Sequence, residues 1–215
     1  MKKIAVILSG CGVYDGAEIH EATLSLLAIA KAGSAYEIFA PDVKQHHVIS
    51  HLTGEEMKES RNVLVESARI ARGRISDLKG FDAAAFDGLL LPGGFGAAKN
   101  LSDWAFKGPE AMVLPAVEKA LRDMVKQKKP VGALCISPVL LARVFGKVSV
   151  TIGSDASTAE AIRSLGATHV VAGHGDVVVD REKKLVTTPC YMLDATITQI
   201  AEGADNVVTA MLELM

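Results

Sequence analysis

Short apolar runs, each broken by glycine or proline, alternate along the chain with longer stretches whose apolar residues recur at helical spacing. Lys3-Ile-Ala-Val-Ile-Leu-Ser9 is apolar without alternation and leads into Gly10-Cys-Gly12, which predicts a strand buried on both faces. Glu18 to Lys31 is rich in Ala and Leu, holds no Pro or Gly, and stops just before Gly33, as a helix with a glycine C-cap does. Tyr36 to Ala40, closed by Pro41, reads as a second short strand. Strand, helix and strand in such quick succession predict an α/β fold with a parallel sheet and helices on its faces.

The same pattern continues to the C-terminus. The segment from His46 to Gly80 is less regular, with a helix predicted over Glu59 to Arg72. Gly88-Leu-Leu-Leu-Pro92 is a buried strand entering Gly93-Gly94-Phe95-Gly96. Pro109 suits a helix first turn, and Val113, Leu114, Val117, Leu121 and Met124 form the apolar stripe of the helix that would follow. Pro130 to Cys135 and Val148 to Ile152 read as strands around a short helix from Val139 to Phe145. Ser157-Thr-Ala-Glu160 has capping-box spacing before Ala161, Ile162 and Leu165. Asp176 to Asp180 and Leu185 to Thr188 flank the polar Arg181-Glu-Lys-Lys184 as a hairpin does, and a helix from about Asp194 to Leu214 closes the chain. No repeat, low-complexity tract or linker interrupts this order, so one domain over residues 1–215 is expected.

Composition narrows the function classes. Half the residues are hydrophobic (49%) but only 5% are aromatic, so Ala, Val, Leu and Ile must build the core. A formal net charge of −2, with no dense basic run, excludes a phosphate-tracking surface and makes nucleic acid an unexpected partner. No apolar run approaches the length that spans a bilayer, and the run near the start, Ile4 to Leu8, is too short for a secretory signal, so no membrane partner is expected. The three cysteines, Cys11, Cys135 and Cys190, show no CxxC spacing, which fits a reducing compartment and predicts a cytoplasmic protein.

The candidate chemistry centres on Cys135. A predicted strand carries it to the carboxyl edge of the sheet, where Ile136-Ser137-Pro138 turns into a helix whose N-terminus would lower the thiol pKa and favour thiolate. Gly93 and Gly94, directly after another buried strand, would offer backbone N–H groups, and those of Gly94 and Ile136 together would cradle an oxyanion. Glu21, beside His20 in the first helix turn, reads either as a surface carboxylate at a helix N-terminus or as a buried acid of raised pKa facing the thiol. Other motifs fail. Asp15 stands where a dinucleotide fingerprint beginning at Gly10-x-Gly12 needs its third glycine, and Lys99 lacks Walker spacing. The six histidines show no metal-ligand spacing, so neither metal nor cofactor is expected.

Several longer motifs carry a resemblance. Ser9-Gly-Cys-Gly-Val-Tyr-Asp-Gly16, Glu18-Ile-His-Glu21, His51-Leu-Thr-Gly54, Arg61-Asn-Val63, Leu91-Pro-Gly-Gly-Phe-Gly-Ala-Ala-Lys-Asn100 and Thr187-Thr-Pro189 resemble the ElbB family of glyoxalase-like proteins. That family lies in the PfpI-like branch of the class I glutamine amidotransferase-like superfamily, beside the parkinsonism-associated deglycase and the glutathione-independent glyoxalases. The resemblance implies a flavodoxin-like three-layer sandwich, a nucleophile elbow at Cys135, a partner carboxylate at Glu21 and oxyanion-type N–H groups at Gly94 and Ile136. It implies conversion of methylglyoxal or glyoxal to a 2-hydroxy acid without metal or glutathione, and a homodimer. The chain departs from triad-bearing members: Ile136 follows the cysteine where some carry histidine, and Val148 to Thr158 holds no histidine. Glutaminase and peptidase activities are therefore not expected. A redox or metabolite sensor using the same thiol is the alternative the residues allow.

Overall fold

The computed structural model describes all 215 residues. In chain order the elements are β1 (Lys3–Ile7), α1 (Ile19–Lys31), β2 (Ala35–Ala40), α2 (Val63–Ile70), β3 (Ser76–Asp77), β4 (Gly88–Leu91), α3 (Phe95–Lys99), α4 (Trp104–Lys107), α5 (Pro115–Lys126), β5 (Val131–Leu134), α6 (Pro138–Phe145), β6 (Ser149–Val150), α7 (Ala156–Ser164), β7 (Thr168–His169), β8 (Val178–Asp180), β9 (Leu185–Thr188) and α8 (Ile197–Glu213). Seven strands form one sheet in the order β3-β2-β1-β4-β5-β9-β8. All its pairings are parallel except β8 with β9. The short strands β6 and β7 make a separate parallel pair.

Period-two alternation along the strands splits the core into two layers. Ile4, Val6 and Leu8 with Leu90, Leu134 and Val186 face α1 and α8. Ala5, Ile7, Leu89, Leu91, Val131 and Ala133 face α5 and α6. Both faces of the central strands are thereby covered, which is why their sequences are apolar without alternation. The result is a three-layer, flavodoxin-like α/β sandwich. Gly132 lets α8 approach: a Cβ there would lie 2.5 Å from Met211 Sδ and 3.0 Å from Val207 Cγ1.

Strand order reverses between β1 and β4, and open α/β sheets gather ligands outside the carboxyl ends of the strands at such a point. Glu21 follows β1, Gly93 follows β4 and Cys135 follows β5, three neighbours in the sheet.

Three expectations are corrected here. The helix predicted over Glu59 to Arg72 begins at Val63, because Asn62 caps it, its side chain accepting from Val65 N at 3.1 Å, while the backbone before it runs extended beside Lys44. Pro109 sits in a single 3₁₀ turn, and the helix expected there starts at Pro115, so Val113 and Leu114 are loop residues that reach the core without helical geometry. Ser157 is not a helix cap: Asp155 takes that place, accepting from Thr158 N at 2.7 Å, because its carboxylate reaches the orphan N–H first.

Candidate active site

The polypeptide reverses sharply at Cys135. Its φ of +61° lies in the left-handed region that disfavours any residue with a Cβ, a strain of about 1–2 kcal/mol. The surroundings hold it there. The Cys135 N–H donates to Thr188 O at 3.0 Å, continuing the ladder to β9, and Ser137 Oγ donates to Pro92 O at 2.7 Å, tying the elbow to the end of β4. The side chain is thereby aimed at Glu21.

Glu21 is fully buried, with 0% of its surface exposed. Glu18 precedes α1 and its carboxylate accepts from Glu21 N at 2.7 Å, fixing the first helical turn. The Glu21 carboxyl then receives two backbone donors, Gly93 N at 2.8 Å on Oε2 and Tyr191 N at 3.2 Å on Oε1, and lies beside the Cys135 thiol. Gly93 is glycine because nothing larger fits. A Cβ on it would overlap Cys135 Cβ and lie 2.7 Å from Glu21 Oε2 and 3.0 Å from Cys135 Sγ. Gly94 turns the chain into α3 with a φ of +95°, and a Cβ there would strike Glu18 N and Gly16 O.

Burial governs the titration of this pair. Desolvation, helped by the neighbouring Glu18 carboxylate, pushes the Glu21 pKa up to about 8 against the opposing hydrogen bonds of Tyr191, Gly93 and Cys135. The buried alternative for Glu21 is the one observed. The thiol departs from expectation. Cys135 is only 6% exposed, and desolvation followed by the Glu21 charge drives its pKa well above the ordinary value. The N–H groups of Gly94 and Ile136 pull in the other direction but are outweighed. The resting sulfur is therefore a protonated thiol, and the thiolate anticipated from the helix N-terminus is corrected. The dipole of an eight-residue helix contributes less than the loss of water around the sulfur.

Of the expected oxyanion donors, Gly94 and Ile136 do direct their N–H groups at the sulfur, whereas the Gly93 N–H is already taken by Glu21. Three participants were not anticipated: Glu18, Tyr191 and the buried Cys190, whose own pKa is raised by burial and then by the nearby Glu21 and Cys135. Glu18 stood three residues before Glu21, a capping spacing that pointed to it. Tyr191 and Cys190 follow β9 and come near only through the fold. His169 and His174 do not supply a triad imidazole: His169 Nε2 accepts from Ile152 N at 3.4 Å, and His174 is exposed. No group of three or more His, Cys, Asp or Glu side chains is arranged to hold a metal ion.

The raised Glu21 pKa makes stability depend on pH. Between 4.5 and about 8 the native state keeps a proton that the unfolded chain releases, so stability falls as pH rises through that window. The shift corresponds to about 5 kcal/mol across the window. Glu21→Gln cannot reproduce the native contacts, because its amide NH₂ meets a backbone N–H and leaves one donor unpaired, at a cost of about 1–3 kcal/mol at every pH. Urea unfolding should therefore find the variant less stable than wild type near pH 5 and more stable near pH 9. Parallel curves would show that Glu21 does not carry the proton.

Comparison with known proteins places this geometry in context. The DJ-1/PfpI family profile matches residues 3–196. The ES1 protein homolog, mitochondrial, of Rattus norvegicus is 48% identical over 99% of this chain and 84% of its own length. The human glutamine amidotransferase-like class 1 domain-containing protein 3, mitochondrial, is 47% identical over 99% of this chain and 83% of its own. Among solved structures, the isoprenoid biosynthesis protein with amidotransferase-like domain from Ehrlichia chaffeensis superposes with a TM-score of 0.91 at 36% identity, covering 99% of this chain and 100% of that one. Drosophila melanogaster DJ-1beta, at 18% identity and a TM-score of 0.55, shares the fold.

Proposed function

The chain belongs to the DJ-1/PfpI family, and from that premise we propose that it is a glyoxalase-like enzyme converting small 2-oxoaldehydes such as methylglyoxal to 2-hydroxy acids, with Cys135 as nucleophile and Glu21 as acid and base. The observation that carries this reading is a fully buried carboxyl, its pKa raised to about 8, set beside the Cys135 sulfur where both crowd Gly93. Within the family we assign the chain to the ElbB-type proteins, supported by its glycine-rich motifs and its similarity to the Ehrlichia protein.

A thiol that stays protonated needs a base at the moment of attack, and Glu21 is in contact with it. Sulfur adds to the aldehyde carbon as its proton passes to the Glu21 carboxylate, and the carbonyl oxygen becomes the hydroxyl of a hemithioacetal. Glu21, having given that proton to the oxygen, removes the hydrogen from the same carbon and returns it to the adjacent one. The hydroxyl proton of the first carbon passes to the oxygen of the second, so the first carbon is oxidised to a thioester and the second reduced to an alcohol. Water then cleaves the carbon–sulfur bond, releasing the 2-hydroxy acid and restoring the thiol. Oxidation and reduction balance within the substrate, so the scheme calls on neither metal nor redox cofactor. The N–H groups of Gly94 and Ile136, which act on the sulfur, are the donors we assign to the substrate oxygen.

The burial of the sulfur weighs against the sensor alternative, since peroxide attacks thiolate and this site disfavours the anion. No helix is long and apolar enough to cross a membrane. The rat and human relatives are named mitochondrial; for this chain we propose the cytoplasm, where its three free cysteines would stay reduced. A homodimer acting without nucleic acid or membrane partners completes the reading.

The test is lactate formation from methylglyoxal by the purified chain in the presence of a metal chelator and without glutathione. Turnover is expected, with kcat/KM rising as pH increases toward about 8, because the ionised fraction of Glu21 grows over that range. Absence of lactate across that range would remove the proposal.

A further inference from the structure

The dyad presents a problem of support. Glu21 is fully buried, and one of its two backbone donors, Tyr191 N–H, comes from the turn Cys190–Met192 after β9 rather than from a neighbouring sheet strand. That turn is strained, with Cys190 at a φ of +43°. Something must keep it against α1.

The side chain of the same tyrosine supplies the hold. Tyr191 Oη lies 2.8 Å from His20 Nδ1, and the two rings are 5.9 Å apart. His20 is exposed and precedes Glu21 in the first turn of α1. Tyr191 thus grips two successive residues of one helical turn, its backbone on the Glu21 carboxyl and its hydroxyl on the His20 imidazole. We infer that His20 is a positioning residue for the Cys135–Glu21 pair, acting through Tyr191 to keep the 190–192 turn docked and its N–H on the Glu21 carboxyl.

This inference deepens the proposed function and rests on it only in giving the dyad a reaction to perform. The groups facing Glu21 from the packed elements are Glu18 ahead of α1, Cys135 after β5, and Cys190 and Tyr191 after β9; none is cationic. The carboxylate form of Glu21 is therefore favoured only by hydrogen bonds, and Tyr191 N–H contributes one of them. Undocking the turn removes that donor but also admits water to a pair whose pKa values are raised chiefly by burial, so the titration of the pair moves toward lower pH.

The experiment follows alkylation of Cys135 by iodoacetamide across a pH series, read by mass spectrometry on the Cys135 peptide so that Cys11 and Cys190 do not contribute. His20→Ala and Tyr191→Phe should each lower the lower apparent pKa of the profile by about half a unit or more, as water reaches the buried carboxyl. The double variant should shift no further than either single one, because both changes break one contact. His20→Asn, which keeps a polar atom near the Nδ1 position, should restore the wild-type profile. Profiles that match wild type in both single variants, or shifts that add in the double variant, would overturn the inference. Alkylation needs no turnover, so the two ideas separate. Shifts without lactate formation would sink the glyoxalase reading and keep this one, and lactate without shifts would do the reverse.

Discussion

Replacing Cys135 with alanine is expected to lower 2-hydroxy acid formation by at least about a thousandfold, since the carbon–sulfur bond has no other sulfur to form through. Cys190, the other buried thiol nearby, points toward α8, where a Cβ on Gly203 would lie 3.4 Å from its sulfur. The loss should be one of chemistry and not of folding. Alanine is smaller than cysteine, suffers the same strain at a φ of +61°, and leaves the Thr188 and Ser137 hydrogen bonds of the elbow in place. Removing one buried sulfur and its contact with Glu21 should cost about 1 kcal/mol of stability. Lactate assays paired with urea melts would separate the two effects. A variant that folds normally and still turns over methylglyoxal would move the chemistry to a different residue.

Gly93→Ala should do more damage to the protein as a whole. The added methyl would overlap Cys135 Cβ and crowd the Glu21 carboxyl, and none of these groups has free space to retreat into. Gly93 is also held on both sides, its N–H by Glu21 and its C=O by Glu18 N at 2.9 Å, so its backbone cannot shift without breaking the entry to α1. An overpacking cost of about 2–4 kcal/mol is expected, together with loss of activity in whatever fraction folds. Urea unfolding reads the first and specific activity the second. Gly80→Ala provides a control for glycine replacement alone, since nothing lies within 4 Å of a Cβ there and, like Gly93, it has no left-handed φ. If the two variants lost equal stability, the close approach at Gly93 would not be the cause.

Much of this site could be read before the fold was known. The glycine pair after Leu91, the cysteine ending a buried strand and the acid in the first turn after β1 each stood at a strand's carboxyl end, where backbone geometry leaves side chains free to meet. Their separate signals were weak because any of them also suits an ordinary turn or cap. What was misjudged was the state of the sulfur. A helix N-terminus is visible as Ser137-Pro138 and argues for thiolate, but burial by α1, the Gly93 segment and the 190–192 turn is not local. Tyr191 and His20 were equally hidden: 171 positions separate the two partners of their hydrogen bond.

Local chemistry thus determined the elements and their ends. Apolar runs without alternation became central strands, glycine and proline stopped them, and capping residues started the helices, because each depends on contacts within a few residues. The boundaries that shifted, at Asn62, Asp155 and Pro115, are places where more than one nearby residue suited the same role. Whether Glu21 is a solvated cap or a buried acid, and whether Cys135 is an anion or a thiol, was decided only when β1, β4 and β5 came side by side and water was excluded between their ends. Ionisation responds to the dielectric and the charges in all directions, and those directions are supplied by residues far apart in the chain.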